Sequence, residues 1–191
     1  MKRLFDFLIA SLGLIGFAPA GFLFALLLKL EDGGPIFYFQ ERWGRGGQRF
    51  KIYKFRTMFK HADKIHGFKP KEHNDSRVTK IGKFLRATAM DELPQLINIW
   101  KGDMSFVGPR PLAIQEINPE TPLFKERHQV RPGLTGPAQL YTSRNSPLEE
   151  KFKYDLDYVH HRTLGKDLKY MFTSVAVTLR GEWEILHRKG R

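Results

Sequence analysis

The sequence predicts an α+β fold with three parts: an N-terminal re-entrant helix-break-helix in the membrane, a small β-hairpin, and amphipathic helices packed at the membrane interface. Three observations carry this. Residues 7–28 contain no charge and are interrupted by Pro19. Two aromatic-rich runs flank a glycine turn at 43–47. Apolar residues recur at helical spacing near 78–88, 148–161 and 167–180.

The apolar run comes first in the chain. At ~1.5 Å per residue, 22 residues cover a ~30 Å hydrocarbon core. Ala18-Pro19-Ala20 imitates a signal-peptide cleavage site, but the run continues through residues 21–28, beyond where a leader would end. Pro19 divides it into pieces of 12 and 9 residues, each too short to cross alone. Lys2 and Arg3 precede the run and Lys29 follows it. Cytoplasmic flanks tend to be basic, so a hairpin that enters and returns keeps every positive charge on one side. We favour this re-entrant form over a straight span. It makes 1–30 a membrane anchor and 31–191 one cytoplasmic domain.

Charge is concentrated next. The chain carries +12, and residues 42–86 alone carry +11, from 14 Lys/Arg and three acids. Such a block suits an anionic leaflet, a phosphorylated substrate or nucleic acid. The adjacent membrane segment favours the first two. Lys69 and Lys71, in the loop-like GFKPKEHND, read as solvated surface. Absence of cysteine excludes thiol catalysis, thiolate zinc sites and disulfides.

The hairpin strands are Ile36-Phe37-Tyr38-Phe39 and residues 50–55, around Trp43-Gly44-Arg45-Gly46-Gly47. A glycine-rich turn can also cradle phosphate, but no strand-loop-helix context surrounds this one. Residues 60–76 read as a loop. A helix at 78–88 places Ile81, Phe84 and Leu85 on one face, suited to the interface or to an ordinary core. RPGLTGPAQL (131–140) is turn-rich, and two amphipathic helices follow. His160 and His161 are adjacent, point apart, and make a poor metal pair.

Residues 91–111, DELPQLINIWKGDMSFVGPRP, are the most informative stretch. Asp91 is a good N-cap type, Pro94 is tolerated in a first helical turn, and Gly102 suits a C-terminus. The pattern predicts a helix over 93–101 with Asp91 and Glu92 at its start. A helix dipole there favours the ionised carboxylate and phosphate nearby. A low-pKa carboxylate beside an anion site is a candidate phosphoryl nucleophile or metal ligand. Ordinary helix capping explains the same two residues.

Longer stretches make the comparison specific. KRLFDFLIA, GPIFYFQERWG, FKIYKFRTM, KIGKFLRATAMDELPQLINIWKGDMSFVGPRPL and RPGLTGPAQL together resemble the bacterial sugar transferases. These are the small, monotopic polyprenyl-phosphate phosphoglycosyl transferases that initiate glycan assembly. The resemblance covers nearly the whole chain. Two positions depart from the family: Ala18 precedes the membrane proline where serine is frequent, and Pro137 follows TG where tryptophan is usual.

The resemblance implies transfer of a sugar-1-phosphate from a UDP-sugar to polyprenyl (undecaprenyl) phosphate, with release of UMP. It implies Asp91 as nucleophile, forming an aspartyl-phosphosugar, with Mg²⁺ bridging Asp91 and the diphosphate. Glu92 would position Asp91 and the metal or assist proton transfer. Lys54 and Arg86 match cationic positions of the family, and Arg110 lies in its Pro-Arg-Pro motif. The implied setting is the cytoplasmic face of the bacterial inner membrane, among membrane lipids, with downstream glycosyltransferases as further partners. Two other classes stand beside this one. A non-catalytic membrane-bound lipid-phosphate or nucleotide binding protein would keep the anchor and the basic block. A nucleic-acid-binding protein would need a recognition helix or stacking aromatics, and neither is evident, so no nucleic-acid partner is expected.

Overall fold

The computed structural model describes residues 1–60, 62, 75–143 and 146–180. The loop expected at 60–76, with Lys64, Lys69 and Lys71, lies almost wholly outside them.

Helix α1 (Lys2–Asp32) is the only helix among the described residues that is long and apolar enough to cross a membrane. It ends on Gly33, which adopts the left-handed conformation at φ 67°. Pro19 lies inside this helix and does not separate two of them. The expected break reduces, in the backbone, to the one N–H that proline lacks; every other amide can still pair along the helix. One stripe of α1 faces the rest of the chain. Ala10 and Leu14 pack with Ile52, Leu96, Ile99 and Met104. Phe17, Phe24 and Leu28 pack with Phe55 and Leu85. The spacing is that of a helix seam laid along a partner. The opposite face leaves Leu8, Leu12, Ile15, Phe22, Leu26 and Leu30 exposed.

The hairpin forms as expected. Strands β1 (Phe37–Trp43) and β2 (Arg49–Phe55) are antiparallel, in register from Phe37↔Phe55 to Trp43↔Arg49. The turn, a single 3₁₀ segment Arg45–Gly47, is not a phosphate cradle. Its Gly44, Gly46 and Gly47 amides all donate to backbone carbonyls of the chain itself.

Helix α2 (Lys80–Ala87) is capped by the Thr79 hydroxyl, which accepts from the Gly82 amide. Leu85 is fully buried against Leu28 and Phe55, so this face belongs largely to the core. Helix α3 (Gln95–Lys101) follows, stopped by Gly102 at φ 97°.

Two elements have no local sequence signature. Strands β3 (Ser105–Val107) and β4 (Gly133–Thr135) pair in parallel, which needs a crossover connection. That connection contains a short helix, α4 (Pro122–Arg127). The pairing depends on close backbone approach: a Cβ on Gly133 would stand 2.1 Å from the Gly108 nitrogen. It joins the GPRP loop to RPGLTG, and α5 (Pro137–Tyr141) leads out of it.

Helices α6 (Leu148–His161) and α7 (Leu164–Arg180) match the two amphipathic segments, α7 starting three residues before its expected position. The Tyr158 hydroxyl on α6 donates to Asp167 Oδ1 (2.7 Å) on α7, with the Val107 carbonyl 3.1 Å away. Lys2 Nζ reaches the other oxygen of Asp167 at 2.6 Å. His160 and His161 bind Glu126 and Asp157 separately.

Candidate active site

Asp91 and Glu92 sit on a 3₁₀ turn, Met90–Glu92, and not at the cap of α3. Pro94 occupies the cap position, and no side chain caps the helix. Proline pre-sets the entry to α3 but pushes the dyad one turn upstream, out of reach of the first free amides. The turn is entered through Ala89 at φ 56°, the only non-glycine residue with positive φ among those described. Such a conformation costs a residue with a side chain about 1–2 kcal/mol.

The dyad's electrostatics differ from the expectation of two easily ionised carboxylates. Burial and the neighbouring Glu92 charge push Asp91 up to about 6, against the pull of Lys54 and Arg86. Glu92 goes the other way. Burial opposes its ionisation, but Lys54 and Arg110 outweigh it and hold the carboxyl below its ordinary value. Lys54 Nζ lies 2.5 Å from Glu92 Oε1, so β2 is pinned to the dyad turn. One carboxylate is therefore committed to a cation, and its neighbour is left poised near neutrality.

A narrow polar cleft opens between these elements. Its lining includes Lys54, Glu92 and Arg110, three of the residues nominated from the sequence. Asp91 stands beside this lining rather than in it. Arg86, at the end of α2, donates to Thr57 Oγ1 at 2.8 Å, and its charge acts on Asp91. Arg110 lies exposed in the loop after β3, and its charge acts on Glu92 and Arg42. A buried ion pair supports that loop. Arg127 Nε meets Asp155 Oδ2 at 2.8 Å, both side chains 2% exposed, while Arg127 Nη2 donates to the Arg110 carbonyl at 2.6 Å.

Three polar side chains of the lining were not nominated from sequence: Arg42, Gln95 and Gln139. Arg42 carried a readable signal. It lies on the same face of the hairpin as Lys54, because Tyr38↔Lys54, Gln40↔Ile52 and Arg42↔Phe50 are cross-strand pairs two residues apart. Gln95 and Gln139 lie within quoted motifs, but only the long-range meeting of α3 and α5 at the cleft gives them a shared role.

Comparison with known proteins bears directly on this arrangement. The chain is 37% identical over 187 residues to the UDP-N-acetylgalactosamine-undecaprenyl-phosphate N-acetylgalactosaminephosphotransferase of Aeromonas hydrophila, covering 95% of this chain and 44% of that relative. It is 38% identical over 184 residues to the UDP-glucose:undecaprenyl-phosphate glucose-1-phosphate transferase of Escherichia coli (strain K12), covering 92% and 39%. It is 37% identical over 193 residues to the exopolysaccharide production protein PSS of Rhizobium leguminosarum bv. phaseoli, covering 94% and 95%. The chain thus spans less than half the length of the first two and nearly all of the third. The family model for bacterial sugar transferases matches residues 1–181, a span that holds α1, the hairpin, the dyad turn and the Arg110 loop. With every element that builds the cleft inside that match, the chain belongs to the bacterial sugar transferase family.

Proposed function

We propose that the protein transfers a sugar-1-phosphate from a UDP-sugar to a polyprenyl phosphate and so begins the assembly of a glycan. The observation that carries this reading is the cleft itself: Lys54, Arg110 and Glu92 line it, with Asp91 adjacent, in a member of this family. In this reading an Asp91 carboxylate oxygen attacks the β-phosphorus of the UDP-sugar. The bond from that phosphorus to the bridging oxygen breaks, and UMP leaves with the electron pair. A polyprenyl-phosphate oxygen then attacks the same phosphorus. This frees Asp91 and yields the lipid diphosphosugar. Lys54 and Arg110 offset the negative charge of the diphosphate. The raised pKa of Asp91 marks a carboxylate that is poorly solvated and not consumed by an ion pair, which favours attack once it is ionised. Glu92, held by Lys54, positions the turn.

Mg²⁺ belongs to the same proposal. Among the described residues no three His, Cys, Asp or Glu converge, so no all-protein cage exists. Mg²⁺ commonly takes one or two carboxylates together with substrate phosphates and water, and Asp91 with Glu92 beside it fits that donor set. When bound, the ion would neutralise diphosphate charge next to the nucleophile.

The membrane arrangement is part of the reading too. We take 1–30 as an anchor that enters and leaves the cytoplasmic face of the bacterial inner membrane, with 31–191 as the catalytic domain on that face. Both ends of α1 hold the same domain: Lys2 binds Asp167, and Asp32 binds Arg56 at 2.5 Å. The exposed apolar face of α1, and Phe172, Val175 and Leu179 on α7, offer surfaces for the leaflet. The test is a panel of UDP-sugars with Mg²⁺ and undecaprenyl phosphate in nanodiscs. One member should release UMP with equimolar lipid diphosphosugar; release with none would refute the activity.

A further inference from the structure

Three polar atoms in the cleft are buried and have no hydrogen-bond partner: Arg42 Nε, Gln95 Nε2 and Gln139 Oε1. They come from β1, α3 and α5, elements far apart in sequence. Buried polar groups are ordinarily satisfied, and leaving one bare costs about 1–3 kcal/mol. Three such atoms in one cleft mark a place that a ligand completes.

Gln139 is the most specific of them. Its Nε2 donates to the Leu134 carbonyl at 3.0 Å, which fixes which end of the amide is nitrogen. Oε1 is therefore the free end, and it is an acceptor. The other two atoms are donors. Arg42 also donates from Nη1 to the Pro111 carbonyl (3.1 Å) and from Nη2 to Gln40 Oε1 (2.6 Å), so its guanidinium is fixed in place. Gln95 lies beside Glu92 and helps to hold that carboxyl below its ordinary value.

A phosphate oxygen can meet Arg42, Lys54 or Arg110, but it cannot satisfy Gln139 Oε1, because both are acceptors. Whatever sits against Gln139 must donate. A UDP-sugar carries three kinds of donor: hydroxyl groups of the sugar, the 2′- and 3′-hydroxyls of the ribose, and the N3–H of uracil. The sugar is bonded to the β-phosphate, the group attacked beside Glu92. Ribose and uracil both lie beyond the α-phosphate, on the opposite side of the diphosphate from the sugar. Glu92 and Gln139 line the same narrow cleft, so the donor next to Gln139 is the sugar.

We propose that Gln139 is a specificity-determining residue, whose Oε1 accepts a hydrogen bond from a hydroxyl of the transferred sugar, with Arg42 Nε and Gln95 Nε2 as donors in the same cleft. This rests on the transferase reading above. Pro137 opens the same short helix and is buried, and it pre-sets the backbone entering the segment that carries Gln139.

The experiment compares wild type with Gln139→Met, which keeps length and removes the acceptor. The substrates are UDP-glucose, UDP-galactose, UDP-N-acetylglucosamine and UDP-N-acetylgalactosamine, and then the monodeoxy forms of whichever is used. The variant should lose about tenfold or more in kcat/KM on the preferred sugar. Wild type should lose a similar factor on one monodeoxy sugar, and the variant should lose nothing further on that same substrate. Inhibition by UDP, which lacks the sugar, should be unchanged. Weakened UDP inhibition in the variant would overturn the sugar assignment in favour of the ribose or the base. Equal losses on every deoxy sugar, or wild-type kinetics in Gln139→Met, would also overturn it. Failure of wild type to turn over any sugar would instead strike the transferase reading beneath it.

Discussion

Lys54 Nζ and Glu92 Oε1 stand 2.5 Å apart across the junction of β2 and the dyad turn, and both side chains are mostly buried. This pair does two things. It locks the hairpin to the turn that carries Asp91, and it absorbs the charge of Glu92 while leaving Asp91 less well compensated. Removing either partner alone strands the other in a cleft with little water. Lys54→Met should therefore lower stability by about 1–2 kcal/mol and abolish transfer. The double variant Lys54→Met/Glu92→Gln should recover most of the stability and none of the activity. Thermal melts in nanodiscs alongside UMP release would check both halves. Activity in the double variant would show that the pair is structural only.

Asp91 carries a sign that can be tested. Its ordinary value is 3.8 and its folded value about 6, so the folded state holds the proton more tightly than the unfolded chain. Stability contributed by that proton is present below pH 4 and is lost as pH rises through 6. Asp91→Asn should then raise the melting temperature at pH 8, on the order of 5 °C, and change little at pH 4. An equal shift at both values would contradict the burial of this carboxylate.

The same value sets the acid limb of catalysis. Only the ionised form can attack phosphorus or bind Mg²⁺, so transfer should fall as pH drops below about 6 at low Mg²⁺. Because proton and metal compete for the same oxygens, raising Mg²⁺ should move that limb to lower pH. A limb that ignores Mg²⁺ would separate the metal from Asp91.

Arg127 and Asp155 make a buried pair that supports the site without lining it. Arg127 also holds the Arg110 carbonyl, so the pair fixes the loop carrying that guanidinium. Asp155→Asn should destabilise by about 3 kcal/mol or more, since it leaves Arg127 charged and buried. Arg127→Met/Asp155→Leu should regain stability yet keep a raised KM for the UDP-sugar. A normal KM in the double variant would show that the Arg110 loop holds itself.

Topology has its own check. Cysteines introduced near Lys2 and near Glu31, in a chain without any, should both resist impermeant reagents on intact cells. Labelling of position 2 alone would leave an ordinary spanning helix.

Local signals made much of this legible. The α1 segment, the hairpin, α2, α6 and α7 follow from uncharged length, strand alternation and helical period, each confined to a few neighbouring residues. Gly102 as the stop of α3 followed from glycine's ease in the left-handed conformation, which it adopts at φ 97°. The dyad was visible as residues but not as geometry: a helix start predicts easy ionisation, whereas Pro94 takes the cap and burial raises Asp91. The β3–β4 pair and the roles of Gln95 and Gln139 depend on segments 25 or more residues apart meeting through Gly108 and Gly133. No local pattern encodes such a meeting. The part of the basic block at 63–74 lies outside the described residues.

Covalent attack by Asp91 is the central claim, and one measurement reaches it directly. Enzyme, Mg²⁺ and the accepted UDP-sugar are mixed without any polyprenyl phosphate, and the intact protein is weighed while UMP is counted. The account predicts UMP in a burst no larger than the enzyme concentration, together with a gain of one phosphosugar on the protein, and neither in Asp91→Asn. UMP release that strictly requires the lipid, or an adduct that survives in Asp91→Asn, would contradict it.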